Sequence, residues 1–296
     1  MIPSFRFRIA ILPVVLGVIL LILWNEWCRY KGPELLYYIP DTSRENLLKC
    51  QFFDDCDSLP EVLLLGSSMT AVIEPFLSSN FTGIGLNYSG PTTGLLLLEA
   101  KGEYPPIIGI EMNRLHLESM PQVINPVISS RSRLIRKLAP ALAEYNDPLL
   151  TIGWLGSGIH WQNYAMRLAY TPPNDRTALI VQSWNDNHWN SFKDSTQLAH
   201  SLIELEPLVE LLKAKGCLVF LYEIPPCDLS RSSRYHQSYL REVSYWAQRQ
   251  SVPFVKAHDW LHMMTADGEH LQPNEAWLYA QWLEREALVI KKHRLN

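Results

Sequence analysis

The sequence predicts an α/β domain built on a mostly parallel sheet and preceded by one apolar N-terminal helix. Three observations carry this expectation. Short apolar runs such as Glu61–Leu65 (EVLLL) and Leu218–Ile224 (LVFLYEI) read as strands buried on both faces. Between them, stretches such as Leu198–Lys215 repeat apolar residues at three and four positions and read as helices. Ahead of both lies an uncharged run of sixteen residues, Ile9 to Trp24.

That first run covers about 24 Å as a helix, close to a bilayer core of roughly 30 Å. Arg8 can reach the interface at one end, and Trp24 and Trp27 at the other. The flanking WNEWCRYK offers no small-residue cleavage site, so residues 1–28 are expected to be an uncleaved anchor rather than a secretory signal. Arg6, Arg8 and the terminal amine precede the span, and Arg29 and Lys31 follow it. With so short a leading tail, the expected topology puts the N-terminus in the cytoplasm. The rest then lies outside, on the periplasmic side of a cell inner membrane.

Residues 29–60 form a polar, mixed stretch, expected to be a stalk or connector. Within it Cys50 and Cys56 (CQFFDDC) are expected to close a disulfide loop in an oxidising compartment. Cys217 and Cys227 bracket a strand-like run that would hold them about 30 Å apart, so Cys217 is expected to be buried and free.

Residues 61–296 then read as one domain. Glu61–Leu65 is its first strand, ending at Gly66, and Pro106–Glu111 (PIIGIE) the second. Thr177–Gln182 (TALIVQ) is either a third or part of an insertion; Leu218–Ile224 and Pro253–Ala257 complete the set. Helices are expected over Leu198–Lys215, stopping before Gly216, and over Tyr235–Gln250 and Glu275–Lys291. Residues 119–195 are too many for a plain strand-to-helix connection and are expected to form an inserted cap. The cap carries a basic helix with Arg131, Arg133, Arg136 and Lys137, either a solvated face or a contact for a membrane surface or partner. It also holds Trp154, Trp161, Trp184 and Trp189, which fill a core or stack on sugar rings.

Composition narrows the function. Hydrophobic residues make up 47% and charged residues 19%, as in a globular chain. A net charge of −4 lacks the basic footprint that phosphate binding needs, which argues against nucleic acid as a partner.

Two segments carry chemistry. In Leu63-Leu64-Leu65-Gly66-Ser67-Ser68-Met69-Thr70 two serines sit on the turn directly after a buried strand, at the sheet edge where α/β proteins bind ligands. A helix starting at Met69 would aim its N–H groups at an incoming oxyanion. Near the other end, Asp267-Gly268-Glu269-His270 precedes the last amphipathic helix. An Asp three residues ahead of a His can accept its Nδ1–H and fix the tautomer, leaving Nε2 to act as general base on a serine. His258, His262 and His270 share no helical face, so no metal site is expected, and nothing calls for a cofactor.

On these residues the chain resembles the SGNH (GDSL-like) hydrolase superfamily across roughly 61–285. Ser68 matches the family's nucleophile, Gly90 in LNYSGPTTG its oxyanion-hole glycine, and Asn113 in IIGIEMNRL its oxyanion-hole asparagine. Asn185 in QSWNDNHW competes for that last place, while Asp267 and His270 match the late D-x-x-H. The family's Gly-Asp-Ser is Gly66-Ser67-Ser68 here, and its G-x-N-D is Glu111-Met112-Asn113-Arg114. Both departures resemble the membrane-associated branch that includes alginate O-acetyltransferases and the protein completing teichoic-acid D-alanylation. The resemblance implies a three-layer α/β/α fold with Ser68, Asp267 and His270 as catalytic triad and Ser68, Gly90 and Asn113 as oxyanion hole. It further implies O-acyl, chiefly O-acetyl, transfer from an acylated donor to an extracytoplasmic polysaccharide, with a multi-span membrane acyltransferase as partner. Two alternatives stand beside it: an esterase or lipase using the same triad, and a non-catalytic polymer-binding or assembly protein on the same scaffold.

Overall fold

The computed structural model describes residues 4–31, 42–139, 179, 183, 193–257, 263–266 and 269–295. The chain divides into two compact units, one of Met1–Asp55 with Asn125–Ala165 and one of Cys56–Ile124 with Met166–Asn296.

The second unit holds a five-stranded, all-parallel sheet in the order β2-β1-β3-β4-β5. The strands are β1 (Val62–Ser67), β2 (Phe81–Leu86), β3 (Ile107–Glu111), β4 (Leu218–Tyr222) and β5 (Phe254–Val255). Every residue of β1 and β3 is buried, which is why both appear in the sequence as unbroken apolar runs. β2 was not expected. It is an edge strand whose Thr82 faces solvent and whose Gly83 and Gly85 carry no side chain, so its composition lacks a strand signature. Thr177–Gln182 falls outside the described residues except for Leu179, which is exposed.

Helices cover both faces. α3 (Ser68–Ile73) follows β1 directly, and α10 (Pro273–Leu295) packs with it. Val62 and Leu64 of β1 share one apolar cluster with Ile73 of α3 and with Ala276, Tyr279 and Leu283 of α10. The alternate residue Leu65 points the other way and packs on Gly94 of α4 (Thr92–Lys101). α7 (Lys193–Ala214) also lies on the sheet, against β4, and meets α9 (Arg234–Arg249). α7 ends where expected, at Gly216, whose φ of 86° suits a residue without a Cβ. The short α8 (Asp228–Arg231) precedes α9.

This strand order has a functional consequence. From β1 the chain crosses to β2 on one side, whereas from β3 it moves to β4 on the other. The crossovers therefore diverge between the carboxyl ends of β1 and β3, opening the crevice in which doubly wound sheets bind ligands.

The first unit is helical where described: α1 (Ser4–Lys31), α2 (Thr42–Asp55), the end of α5 (Pro121–Ile128) and α6 (Ser130–Leu138). α1 runs 28 residues through Pro13 without a break, and Val14, Leu16, Ile19, Leu20 and Leu23 are exposed along it. Among the described residues no helix is long and apolar enough to cross a membrane. The expected span begins at Ile9, and the side chains of α1 preceding Pro13 lie outside the described ones. The expected connector contains a regular helix, α2, whose Leu48 and Cys50 are buried.

The basic helix of the expected cap is α6, and two of its arginines face carboxylates. Arg133 and Arg136 both bond Asp54, at 2.6 Å each, and Arg136 also bonds Asp55 at 2.7 Å. Two acids at the C-terminal end of α2 oppose its dipole, and the guanidinium pair offsets both that and the burial of Asp54.

The expected Cys50–Cys56 disulfide is absent: both are free, Cys50 buried and Cys56 exposed. α2 is helical through Asp55, so six residues of helix translate Cys56 by about 9 Å and turn it to the far side. That exceeds the Cα separation a disulfide spans. Cys56 Sγ instead bonds Ser58 O at 3.1 Å. Cys217 is free and buried, as its position before β4 implied.

Candidate active site

β1 ends on Ser67 and α3 begins on Ser68, so the turn lies at the divergent edge of the sheet. Ser67 caps the helix, its Oγ accepting the Met69 N–H at 3.2 Å. Ser68 is the half-buried residue presented beyond that cap.

The base comes from 202 residues away: His270 Nε2 lies 2.9 Å from Ser68 Oγ. The two sides of its loop are paired. Thr265 and Leu271 form an antiparallel bridge, Ala266 N–H donates to His270 O at 2.8 Å, and Gln272 N–H donates to Met264 O at 2.9 Å. Leu271 then anchors the loop in the α3–α10 apolar cluster. Asp267 lies outside the described residues, as do Asn185, His258, His262 and the four tryptophans of the expected cap.

Beneath Ser68 is a polar network that sequence reasoning missed. Glu111, at the end of β3, has no solvent exposure and collects four donors. Its Oε1 accepts Ser67 Oγ at 2.7 Å, and its Oε2 accepts Ser67 N–H at 2.8 Å, Thr70 Oγ1 at 2.5 Å and Thr70 N–H at 3.2 Å. With its one hydrogen directed at Glu111, Thr70 Oγ1 accepts from Tyr222 of β4 at 2.7 Å. Burial first, then the nearby Glu111 charge, pushes the Tyr222 phenol well above its ordinary pKa, so it stays a donor. Gly66 is required by the same carboxylate: a Cβ there would come within 2.4 Å of Glu111 Oε2 and 1.9 Å of Thr70 Oγ1. The readable signal was an acid closing an apolar strand, opposite a run of hydroxyl residues. Glu111 and Ser67 stand where the resemblance has other residues, and here they bond each other.

Asn113 follows β3 and is buried. Its Oδ1 accepts Ile224 N–H and its Nδ2 donates to Ile224 O, both at 2.8 Å, which joins the ends of β3 and β4. One hydrogen of its NH₂ is engaged by that pairing, and an amide carries two. Gly90 is buried under the loop after β3, where a Cβ would meet Arg114 O at 2.6 Å and Leu117 O at 2.9 Å. The preceding Ser89 bonds Thr93 Oγ1 and Gly90 O, fixing the turn in which Tyr88 takes a φ of 57°.

Two further ion pairs border this edge. The Arg114 guanidinium bonds Glu269, the residue before His270, and both side chains are mostly buried. Burial disfavours the Arg114 cation, but Glu269, with the Tyr235 phenol and Glu111 adding to it, holds its pKa above the ordinary value. His236 Nε2 lies 2.9 Å from Glu223 Oε1, and Glu223 Oε2 accepts Ala257 N–H at 3.1 Å. Burial would raise the Glu223 carboxyl, but the His236 contact and the Ala257 N–H hold it below its ordinary value. Met69, Asn113, Arg114, Tyr235, His236 and Glu269 surround a cavity of about 20 Å³, room for one water-sized group. Among the described residues no group of His, Cys, Asp and Glu is arranged to hold a metal ion.

The geometry thus joins a serine and a histidine from opposite ends of the chain, at the crevice where α/β sheets do chemistry. No protein-family model matches the chain, and no curated protein matches it.

Proposed function

We propose that the chain is a serine-dependent O-acyltransferase working through an acyl-enzyme on Ser68, with O-acetyl transfer to an extracytoplasmic polysaccharide as its reaction. The observation that carries this reading is the 2.9 Å contact between Ser68 Oγ and His270 Nε2 at the divergent sheet edge.

His270 Nε2 takes the Ser68 Oγ proton as Oγ attacks the donor's ester carbonyl. The carbonyl oxygen becomes an oxyanion, for which the Ser68 and Gly90 N–H groups and the second Asn113 Nδ2 hydrogen are the assigned donors. Collapse expels the donor alkoxide, which takes the proton from His270 and leaves the acyl group on Oγ. An acceptor hydroxyl then gives its proton to His270, attacks the acyl carbon, and Ser68 leaves with that proton. Asp267 is assigned the Nδ1 side of His270 by its place in the sequence.

The apolar N-terminal helix is read as the anchor that keeps the enzyme near a membrane source of acyl groups, with a multi-span acyltransferase supplying them. Hydrolysis by the same residues is the competing outcome when water replaces the acceptor.

Purified full-length protein in detergent, given 4-nitrophenyl acetate with and without oligosaccharide, tests the reading. Ser68→Ala and His270→Ala should each lower turnover on the order of 10³-fold or more without loss of folding, and acid quench should trap acetyl on the Ser68 peptide. Undiminished turnover by Ser68→Ala overturns it. Acetylated oligosaccharide, as against free acetate alone, separates transferase from esterase.

A further inference from the structure

Arg114 occupies a junction. Its carbonyl lies against Gly90, leaving no room there for a Cβ, and accepts the Leu117 N–H at 3.1 Å. Its side chain crosses to Glu269, next to His270, and both members of the pair are only 13% exposed. Backbone bonds of Met264, Thr265 and Ala266 with His270, Leu271 and Gln272 hold the two sides of the histidine loop together. The Arg114–Glu269 bond ties its second side to the end of β3, the strand edge beside Ser68.

We propose that Arg114 and Glu269 are positioning residues that hold His270 on Ser68 and keep the charge beside its imidazole balanced. This rests on the reading of Ser68 and His270 as nucleophile and base. A lone carboxylate next to a base would favour imidazolium, which cannot accept the serine proton; a lone guanidinium would disfavour protonation and weaken the base. The bonded pair leaves neither charge uncompensated. Other charged or titratable groups are close: Glu111 and the Tyr235 phenol face Arg114, and His236, backed by Glu223, lines the same cavity. Asp267 adjoins in sequence. These groups stay in place in every variant, and the double variant controls for their response to the loss of the Arg114 charge.

The test titrates His270 itself. Full-length protein is labelled briefly with diethyl pyrocarbonate across pH 5–8.5, and His270 modification is read by mass spectrometry, since only neutral imidazole reacts. Arg114→Gln removes the positive charge beside Glu269 and should move the His270 midpoint up; Glu269→Gln removes the negative one and should move it down, each on the order of 0.5–1 pH unit. The double variant should return toward wild type. In parallel, the acid limb of kcat/KM for 4-nitrophenyl acetate should shift in the same two directions. Its high-pH plateau should fall about 10- to 100-fold in Arg114→Gln, as expected for a displaced base. Unshifted midpoints in both single variants, or shifts of the same sign, overturn the proposal. Wild-type turnover that survives Ser68→Ala overturns the parent reading instead, and the labelling arm still decides whether the pair acts on His270. Should Arg114→Gln fail to fold, Glu269→Gln, whose amide oxygen can still accept from Arg114, carries the same decision.

Discussion

At the scale of single residues, Glu111 organises the turn that presents Ser68. Its two oxygens are not equivalent. Oε2 accepts two backbone N–H groups and a hydroxyl, whereas Oε1 accepts only the Ser67 hydroxyl, which can rotate. Glu111→Gln can therefore keep an oxygen at the Oε2 place and put its NH₂ toward Ser67 Oγ, which turns from donor to acceptor. Glu111→Ala leaves two buried N–H groups and two hydroxyls without their acceptor, at about 1–3 kcal/mol for each group left unsatisfied. Denaturant titration should accordingly show Glu111→Ala destabilised by several kcal/mol and Glu111→Gln by much less. Equal losses would mean that the negative charge, not the acceptor geometry, matters. The sequence displayed this acid at the end of PIIGIE but not its partners, because Ser67 and Thr70 are 44 and 41 residues away. Ser68 and His270 were readable because each sits in a local pattern, a strand-turn-helix and a D-x-x-H before a helix.

At the scale of elements, β1, β3 and β4 were legible because burial on both faces admits only apolar residues, while β2 was not. An edge strand needs only one good face, and Gly85 lets the backbone of Ala71 in α3 approach to where a Cβ would stand. The basic helix was legible as a helix, and the destination of its charges was not. Arg133 and Arg136 need Asp54 and Asp55, and nothing local in SRSRLIRKL announces carboxylates about 80 residues earlier. The Arg136 and Asp54 side chains are 3% and 1% exposed, so removing Arg136 leaves the buried Asp54 carboxylate with the Arg133 guanidinium in place of two. Arg136→Met should therefore cost about 1–3 kcal/mol, less than an unpaired buried charge would. Replacing Asp54 by Asn as well should recover part of that loss. Chemical denaturation of the two variants checks this; an Arg136→Met protein as stable as wild type would show that the α2–α6 contact is held by its apolar residues.

At the scale of the whole molecule, the proposed function requires the Ser68 edge to lie outside the cytoplasm, and Cys56 offers a way to ask. Absence of the expected disulfide leaves its thiol free and exposed, immediately after α2, in the unit that carries the sheet. Cys50 and Cys217 are buried, and Cys227 is half-buried. Burial pushes the Cys50 thiol up to about 12, which suppresses its thiolate and hence its reactivity. A maleimide that cannot cross membranes should therefore label Cys56 first. If α1 anchors the chain with its N-terminus in the cytoplasm, intact spheroplasts should label at Cys56 as fully as lysed ones, and Cys56→Ser should remove most of the signal. Labelling that appears only after lysis would put the sheet in the cytoplasm and exclude an extracytoplasmic acceptor. The anchor itself is tested by Val18→Arg combined with Leu21→Arg. Two charges at the middle of a span cost about 2.5–3.5 kcal/mol each, so this variant should move from the membrane pellet to the supernatant on alkaline carbonate extraction. A wild-type chain already in the supernatant would show that the exposed apolar face of α1 is covered by protein, not lipid. The acyl donor would then have to reach Ser68 by diffusion.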